Sequence, residues 1–272
     1  MAEDHDLLDE RCATFYRRAM DVLREARVPF LVGGAFALQH HAGISRHTKD
    51  FDVFLRPSDV ERALAAFEAA GDPTEVTAPH WLAKVQFEDL YVDLIFSSGN
   101  GIATVDEGWF DHAVEAEILG GPALLIPVEE MIWSKAFIME RERFDGADVL
   151  HVLLRKAERL DWDRLLRRFG SQWRVLLVHL VLFGFAYPTE RDRIPARVVR
   201  ELIARLETEL TTTDDREALA AGTLLSRVQY QPDLKEWGYG DARLLPPAEL
   251  SEEDVEQWDE AGIRADNGEA ST

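Results

Sequence analysis

The spacing of apolar and polar residues divides the chain into two parts. Up to Pro127, short apolar runs typical of strands alternate with helical spacing, and beyond Pro127 the strand pattern gives way to helical spacing alone. The pattern predicts an α/β (α+β) domain over residues 1–127 and an α-helical domain over residues 128–245. The last stretch, 246–272, is rich in Glu and Asp and is predicted to be a flexible acidic tail.

The first domain is predicted to begin with an amphipathic helix over residues 6–27, because apolar side chains recur there at three- and four-residue steps. The apolar run at 30–32 then predicts a buried strand. Gly33-Gly34 separates this strand from a short helical segment over residues 35–42. A glycine pair at such a position lets the backbone come close to another group.

Two acidic residues interrupt the next apolar strand, predicted over residues 50–55. Because successive side chains of a strand point to opposite faces, Asp50 and Asp52 share one face with Phe54, while the other face is fully apolar. Neighbouring carboxylates on a hydrophobic strand are costly unless a cation lies between them. A divalent metal that also binds a phosphate is the usual such cation. The strand therefore predicts a metal–phosphate site.

A further acidic residue lies in a predicted hairpin. Residues 82–87 and 91–96 predict two strands joined by the short link Glu88-Asp89-Leu90, and Asp93 lies alone among apolar residues in the second of them. Short strands are also predicted at 116–119 and 123–126. In the second domain, helices are predicted near residues 128–142, 146–159, 161–169, 171–185, 195–210 and 214–230.

Composition narrows the classes of function. The chain has 272 residues and a formal net charge of −21, so its field repels polyanions and argues against a general nucleic-acid binder. No uninterrupted apolar run approaches the ~20 residues of a membrane span, and the acidic start of the sequence does not resemble a signal peptide. With Cys12 as its one cysteine, the chain fits a reducing compartment. We therefore expect a cytoplasmic protein without a membrane partner.

The motif order resembles that of a known superfamily. Gly33-Gly34 after a strand, Asp50-Phe51-Asp52 on the next strand and Asp93 on a later one resemble the nucleotidyltransferase superfamily typified by DNA polymerase beta. Residues 28–97 look most like bacterial minimal and aminoglycoside nucleotidyltransferases and the AbiEii-type abortive-infection toxins. The resemblance implies a mixed twisted sheet flanked by helices. The family often has Gly-Ser where this chain has Gly34, so backbone N–H groups alone remain there for a phosphate.

The resemblance also implies roles for the acids. Such enzymes transfer an NMP from an NTP to a hydroxyl and release pyrophosphate, with two Mg²⁺ ions stabilising the attacking and leaving oxygens. Asp50, Asp52 and Asp93 are then the metal ligands and catalytic residues, and Asp93 is the candidate for accepting the hydroxyl proton. Gly33 and Gly34 are then expected to approach the NTP phosphates.

Three cations are candidate phosphate contacts. Arg46 and Lys49 lie beside the acidic strand, and Lys135 lies in a downstream segment that resembles the Lys and Asp motifs of the AbiEii-type enzymes. Asp145 and Asp148 in that segment are either part of these motifs or carboxylates favoured at a helix N-terminus.

Several alternatives remain open from the sequence. The chain could be a catalytically inactive nucleotide sensor or partner-binding member of the same fold, or a toxin of a toxin–antitoxin or abortive-infection system acting on tRNA. A glycosyltransferase with an Asp-x-Asp motif is less consistent, because only about fifty residues precede Asp50. Within the main interpretation, the acceptor hydroxyl could belong to a small molecule, a protein or an RNA, and the acidic surface favours the first two.

Overall fold

The computed structural model describes residues 10–46, 48, 50–211 and 218–266, the last four of these by their backbone alone. The chain divides into two compact units, residues 1–127 and 128–272. Each unit has its own secondary structure, and each is described by itself.

The first unit contains helices and strands in alternation. Its helices are α1 (Glu10–Glu25), α2 (Gly34–Ala42), α3 (Val60–Ala69) and α4 (Glu107–Asp111). Its strands are β1 (Leu31–Val32), β2 (Asp50–Phe54), β3 (Thr74–Ala78), β4 (Leu82–Phe87), β5 (Leu90–Ile95), β6 (Val114–Ile118) and β7 (Gly121–Leu125).

These strands form one mixed sheet in the order β3-β4-β5-β2-β1-β7-β6. β2 and β5 are parallel neighbours at the centre of the order, whereas β4 and β5 form an antiparallel hairpin. β1 is antiparallel to β2 and parallel to β7. The predicted α/β class, with a mixed sheet flanked by helices, is confirmed.

The core of this unit covers the apolar face of β2. Phe51 and Val53 are fully buried, and the ring of Tyr16 from α1 stacks on Phe51 at 4.8 Å between centroids. Phe36 of α2 meets the same ring edge-on at 5.3 Å. Burying each such side chain stabilises the fold by roughly 1.5–3 kcal/mol. This packing fixes which face of β2 is inside, and so directs Asp50 and Asp52 to the opposite face.

The second unit is mainly helical. Its helices are α5 (Val128–Ala136), α6 (Gly146–Lys156), α7 (Trp162–Phe169), α8 (Trp173–Ala186), α9 (Ala196–Leu210), α10 (Gln231–Lys235) and α11 (Glu252–Asp266). Two short strands, β8 (Leu219–Ala220) and β9 (Gly240–Asp241), pair in parallel.

The prediction of a helix near residues 214–230 is wrong for residues 218–230, the part that the structure describes. Leu219–Ala220 form β8 instead, and a 3-10 turn follows at Gly222–Leu224. Gly222 lies directly against the ring of Tyr230, where any side chain would clash. Pairing with the distant strand β9 has overridden the local helical spacing, as tertiary contacts often do.

Part of the segment predicted as an acidic tail is helical. α11 begins at Glu252, and its Asp259 accepts a hydrogen bond from Nη1 of Arg243 at 2.6 Å. Arg243 is fully buried, and Asp241 is its second carboxylate partner. A buried guanidinium requires such partners because an unpaired buried charge is strongly destabilising.

Within the described residues, one stretch, Trp162–Ala186, is long and apolar enough to cross a membrane by length and composition. Core helices of soluble proteins meet the same criterion, so the finding is weak evidence for a membrane. The stretch includes α7, whose Arg164 and Arg168 pair with the buried Glu130 of α5 at 2.6 and 2.8 Å. These ion pairs tie α7 to α5.

Candidate active site

Two carboxylates lie directly opposite each other at the centre of the sheet. In the parallel pair β2–β5, Asp52 is the register partner of Asp93, and Asp50 is the partner of Tyr91. Because alternate residues of a strand share a face, Asp50, Asp52 and Asp93 all lie on the face opposite the core. The structure therefore places on one face of the sheet the three acids that the sequence singled out, with Asp52 directly opposite Asp93.

The three acids differ in their exposure to solvent. Asp50 is exposed and Asp52 is half-buried, whereas the side chain of Asp93 is only 16% exposed. Burial raises the pKa of Asp93, the hydrogen bond and charge of Lys84 lower it, and the charge of Asp50 raises it, with a net shift above the ordinary value. Asp50 and Asp93 thus interact electrostatically across the face.

Lys84 lies among these acids, and the sequence prediction missed it. Its Nζ donates a hydrogen bond to Oδ1 of Asp93 at 2.7 Å, and it lies 5.2 Å from the ring centroid of Tyr91. Lys84 is the register partner of Asp93 in the β4–β5 hairpin. The observed two-residue turn at Glu88-Asp89 places these residues opposite each other. The predicted three-residue link would have given a different register.

Gly33 and Gly34 join β1 to α2 beside the acids. The backbone N–H of Gly33 donates to the carbonyl oxygen of Asp52 at 2.9 Å. Gly34 has a φ of +51°, a conformation that side chains rarely adopt, and a Cβ there would overlap with Oδ2 of Asp52. The absence of a side chain at Gly34 therefore lets the Asp52 carboxylate lie directly against the backbone at the N-terminus of α2.

The predicted phosphate contacts have different outcomes. Arg46 is exposed in the link between α2 and β2. Lys49 lies outside the described residues. Lys135 belongs to α5 of the second unit, where its Nζ pairs with Asp145 at 2.7 Å and with Asp148 at 3.0 Å.

The cluster around Lys135 is a compact ion-pair group. Burial raises the pKa of Asp145, but Arg143 and Lys135 outweigh burial and hold its pKa below the ordinary value. Asp145 precedes the first residue of α6, although its side chain makes no capping hydrogen bond there. Asp148 is only 2% exposed, so Lys135 is a partner that this buried carboxylate needs.

The three acids supply the type of donor atom that a divalent cation binds. Over the described residues, no three His, Cys, Asp or Glu side chains converge closely enough to hold a metal ion. Carboxylate oxygens are nevertheless the donors that Mg²⁺ prefers, and Asp52 and Asp93 are opposite neighbours. The backbone of Gly34 lies against the same Asp52 carboxylate, where a Cβ would overlap with Oδ2. These residues fit Mg²⁺ by their chemistry.

Several solved structures are similar to this chain. The antibiotic-resistance factor ANT(2'')-Ia is 17% identical, with 75% of this chain and 95% of that chain covered and a TM-score of 0.40. The lincosamide antibiotic adenylyltransferase LnuA, lincomycin-bound, is 16% identical, with 54% and 97% covered and a TM-score of 0.39. An antigenic nucleotidyltransferase-like protein from Paracoccidioides brasiliensis is 13% identical, with 64% and 93% covered and a TM-score of 0.37. At these TM-scores the likenesses support no conclusion about the acceptor.

Comparison of the sequence with family models identifies the family of this chain. None of the curated proteins matches the chain. A family model described as nucleotidyl transferase of unknown function (DUF2204) matches residues 13–171, more than half of the chain, and this range includes Gly33-Gly34 and all three acids. The chain therefore belongs to this nucleotidyltransferase family, as the resemblance of its motifs predicts.

Proposed function

We propose that this nucleotidyltransferase transfers an NMP from an NTP to an acceptor hydroxyl in a Mg²⁺-dependent reaction and releases pyrophosphate. The observation that carries the proposal is the register of β2 and β5, which sets Asp52 opposite Asp93 on the solvent-facing side of the sheet. Gly34, which is kept free of a side chain at the Asp52 carboxylate, supports it.

In this proposal two Mg²⁺ ions would be held by Asp50, Asp52 and Asp93. When bound, the metal would neutralise charge that develops on the phosphoryl oxygens and on the leaving pyrophosphate. The chain itself would supply the carboxylates, their alignment on one face of the sheet and the close approach of the Gly34 backbone to Asp52.

In the proposed reaction the acceptor oxygen forms a bond to the α-phosphorus of the NTP, and the bond from that phosphorus to the pyrophosphate oxygen breaks. The acceptor hydroxyl loses its proton, and Asp93 is the proposed base. Asp93 accepts a hydrogen bond from Lys84 through Oδ1, and a carboxylate in this position can accept the hydroxyl proton. Backbone N–H groups at the start of α2 would face the NTP phosphates.

The acceptor is proposed to be a cationic or neutral small molecule, or a basic protein. The formal net charge of −21 attracts cations toward the chain and repels RNA at long range. Transfer to a tRNA end is the second candidate within this reaction, and the experiment below separates the three.

The test is transfer of label from α-labelled NTPs, one base at a time, with Mg²⁺, into a cell extract. The wild-type chain is compared with Asp52→Asn, which keeps the shape of the side chain and removes its charge. Asp111→Asn is the matched control, because it removes one carboxylate from an exposed position of the same unit. The products are then treated with protease or nuclease and separated by size.

Label that depends on Asp52 and survives in the Asp111→Asn variant would support the proposal, and its sensitivity would identify the acceptor class. Label of equal intensity with the Asp52→Asn variant would overturn it. NTP binding without transfer of any base would favour the nucleotide-sensing alternative instead.

A further inference from the structure

The acidic face of the sheet carries its own cation. Asp52, Asp93 and Lys84 stand side by side on the neighbouring strands β2, β5 and β4, each the register partner of the next. Asp93 is the middle member, with a carboxylate on one side and an ammonium on the other. One of its oxygens, Oδ1, already accepts a hydrogen bond from Lys84 at 2.7 Å.

Two further observations show that Lys84 is held in this position. Its side chain is only 27% exposed, and its ammonium group lies near the ring of Tyr91, which is itself the register partner of Asp50. A cation near an aromatic ring gains favourable electrostatic energy. Lys84 is therefore fixed by a carboxylate, a ring and the hairpin register.

We propose that Lys84 is a built-in counterion of the acidic site, which competes with a divalent cation for Asp93 and so lowers the metal affinity of the site. The inference rests on the proposed function, because it treats these acids as the metal ligands. Lys84 acts through Asp93 and is thus a positioning residue. In the absence of a metal, Lys84 offsets the repulsion between the adjacent carboxylates of Asp52 and Asp93. Binding of a metal then replaces one cation by another.

Charge repulsion determines the expected effect of Lys84 on metal binding. Like charges on adjacent strands destabilise a sheet, and an ammonium a few ångströms from a dication opposes its binding. A loss of that repulsion is expected to tighten metal binding by about tenfold, which corresponds to about 1.4 kcal/mol. A purely structural lysine would give the opposite sign, because its loss would disorder Asp93 and weaken metal binding.

Three substitutions separate charge from shape. Lys84→Met keeps an unbranched stem that can still pack on Tyr91 but removes the ammonium group. Lys84→Arg keeps the positive charge, and Lys84→Gln keeps a hydrogen-bond donor without the charge. The matched control is Arg18→Met, because Arg18 is the ion-pair partner of another buried acid of the same unit, Asp72, at 2.5 Å.

The measurement is Mn²⁺ binding to the full chain, without NTP, from the loss of the free Mn²⁺ signal in electron paramagnetic resonance at neutral pH. We expect about tenfold tighter binding for Lys84→Met and Lys84→Gln. Lys84→Arg and Arg18→Met are expected to bind as the wild-type chain does. Unchanged or weaker binding by the two neutral variants would overturn the inference, and if one of them fails to fold, the other decides.

The same titration with Asp52→Asn distinguishes the two levels of the argument. Wild-type Mn²⁺ binding that depends on Asp52, together with no gain in the neutral Lys84 variants, would overturn the counterion role and leave the proposed function standing. Wild-type binding that does not depend on Asp52, or no binding at all, would count against the metal site itself and so against both.

Discussion

Gly34 faces Oδ2 of Asp52 across a gap that is too small for a methyl group. The glycine begins α2 and the carboxylate lies on β2, so their contact sets how closely the helix N-terminus approaches the acidic face. The close approach explains why a side chain at this position is unsuited to the site, independently of any role in binding phosphate.

Substitution of Gly34 by Ala is expected to disturb both the fold and the site. The positive φ alone costs on the order of 1–3 kcal/mol for a residue with a side chain, and the new methyl group would displace the Asp52 carboxylate. Because a shift of about 1 Å can reduce a rate by about 100-fold, we expect NMP transfer to fall by at least about that factor. Steady-state transfer and the free energy of unfolding by urea would measure the two effects.

Gly43 provides the control for backbone strain. Its φ is +74°, but a Cβ there would meet nothing within 4 Å. Gly43→Ala should therefore reduce stability by about 1 kcal/mol and leave transfer unchanged. Equal loss of activity in the two alanine variants would refute the steric explanation.

Removal of the proposed base is expected to reduce turnover more than NTP binding. Asp93→Asn keeps the shape of the side chain but cannot accept the acceptor proton as a carboxylate does, so we expect kcat to fall by about 100- to 10,000-fold. Steady-state kinetics of transfer, together with NTP binding by fluorescence, would check it. A variant that transfers at the wild-type rate would exclude Asp93 as the base.

Lys135 is expected to matter for stability. Lys135→Met would leave Asp148, which is 2% exposed, without this partner, and breaking a buried ion pair typically costs about 3–5 kcal/mol. Unfolding by urea would show the loss. Lys235→Met is the control, since Lys235 is exposed and a surface change of this kind alters stability by about 0.5 kcal/mol or less. A stable Lys135→Met variant with weakened NTP binding would instead favour the predicted phosphate contact.

Asp145 is expected to make the chain sensitive to acid. Its pKa in the folded chain is lower than the ordinary value of 3.8, so the unfolded state takes up its proton first as the pH falls. The stabilisation is fully present above that ordinary value and is lost as the pH drops through the lowered pKa. The free energy of unfolding, measured against pH, should fall less steeply in this acidic window for Asp145→Asn than for the wild-type chain. Parallel curves would contradict the prediction.

Much of the first unit follows from local patterns in the sequence. The faces of β2 are predicted by alternation alone, because Phe51 and Val53 are buried and Asp50 is exposed, as the pattern requires. The β4–β5 hairpin is predicted from two apolar runs around a short turn, and the observed turn is one residue shorter than the predicted link.

The arrangement of the acids required more than local patterns. The pairing of Asp52 with Asp93 joins strands that are separated by α3, β3 and β4, and neither strand alone indicates which neighbour it takes. The resemblance of the motifs supplied that relationship. The strand pattern alone does not identify Lys84 as the partner of Asp93, because that pairing depends on the register of the hairpin.

The two-residue turn at Glu88-Asp89 sets the register of β4 and β5, and Glu88 adopts a φ of +54° there. A slip of one residue would carry Lys84 to the core face and bring a neighbouring apolar residue beside Asp93. The length of a surface loop thus determines whether the acidic face carries its own cation. In related chains, a single insertion or deletion in this loop is therefore a route by which evolution can change the charge of the site without altering any of the acids.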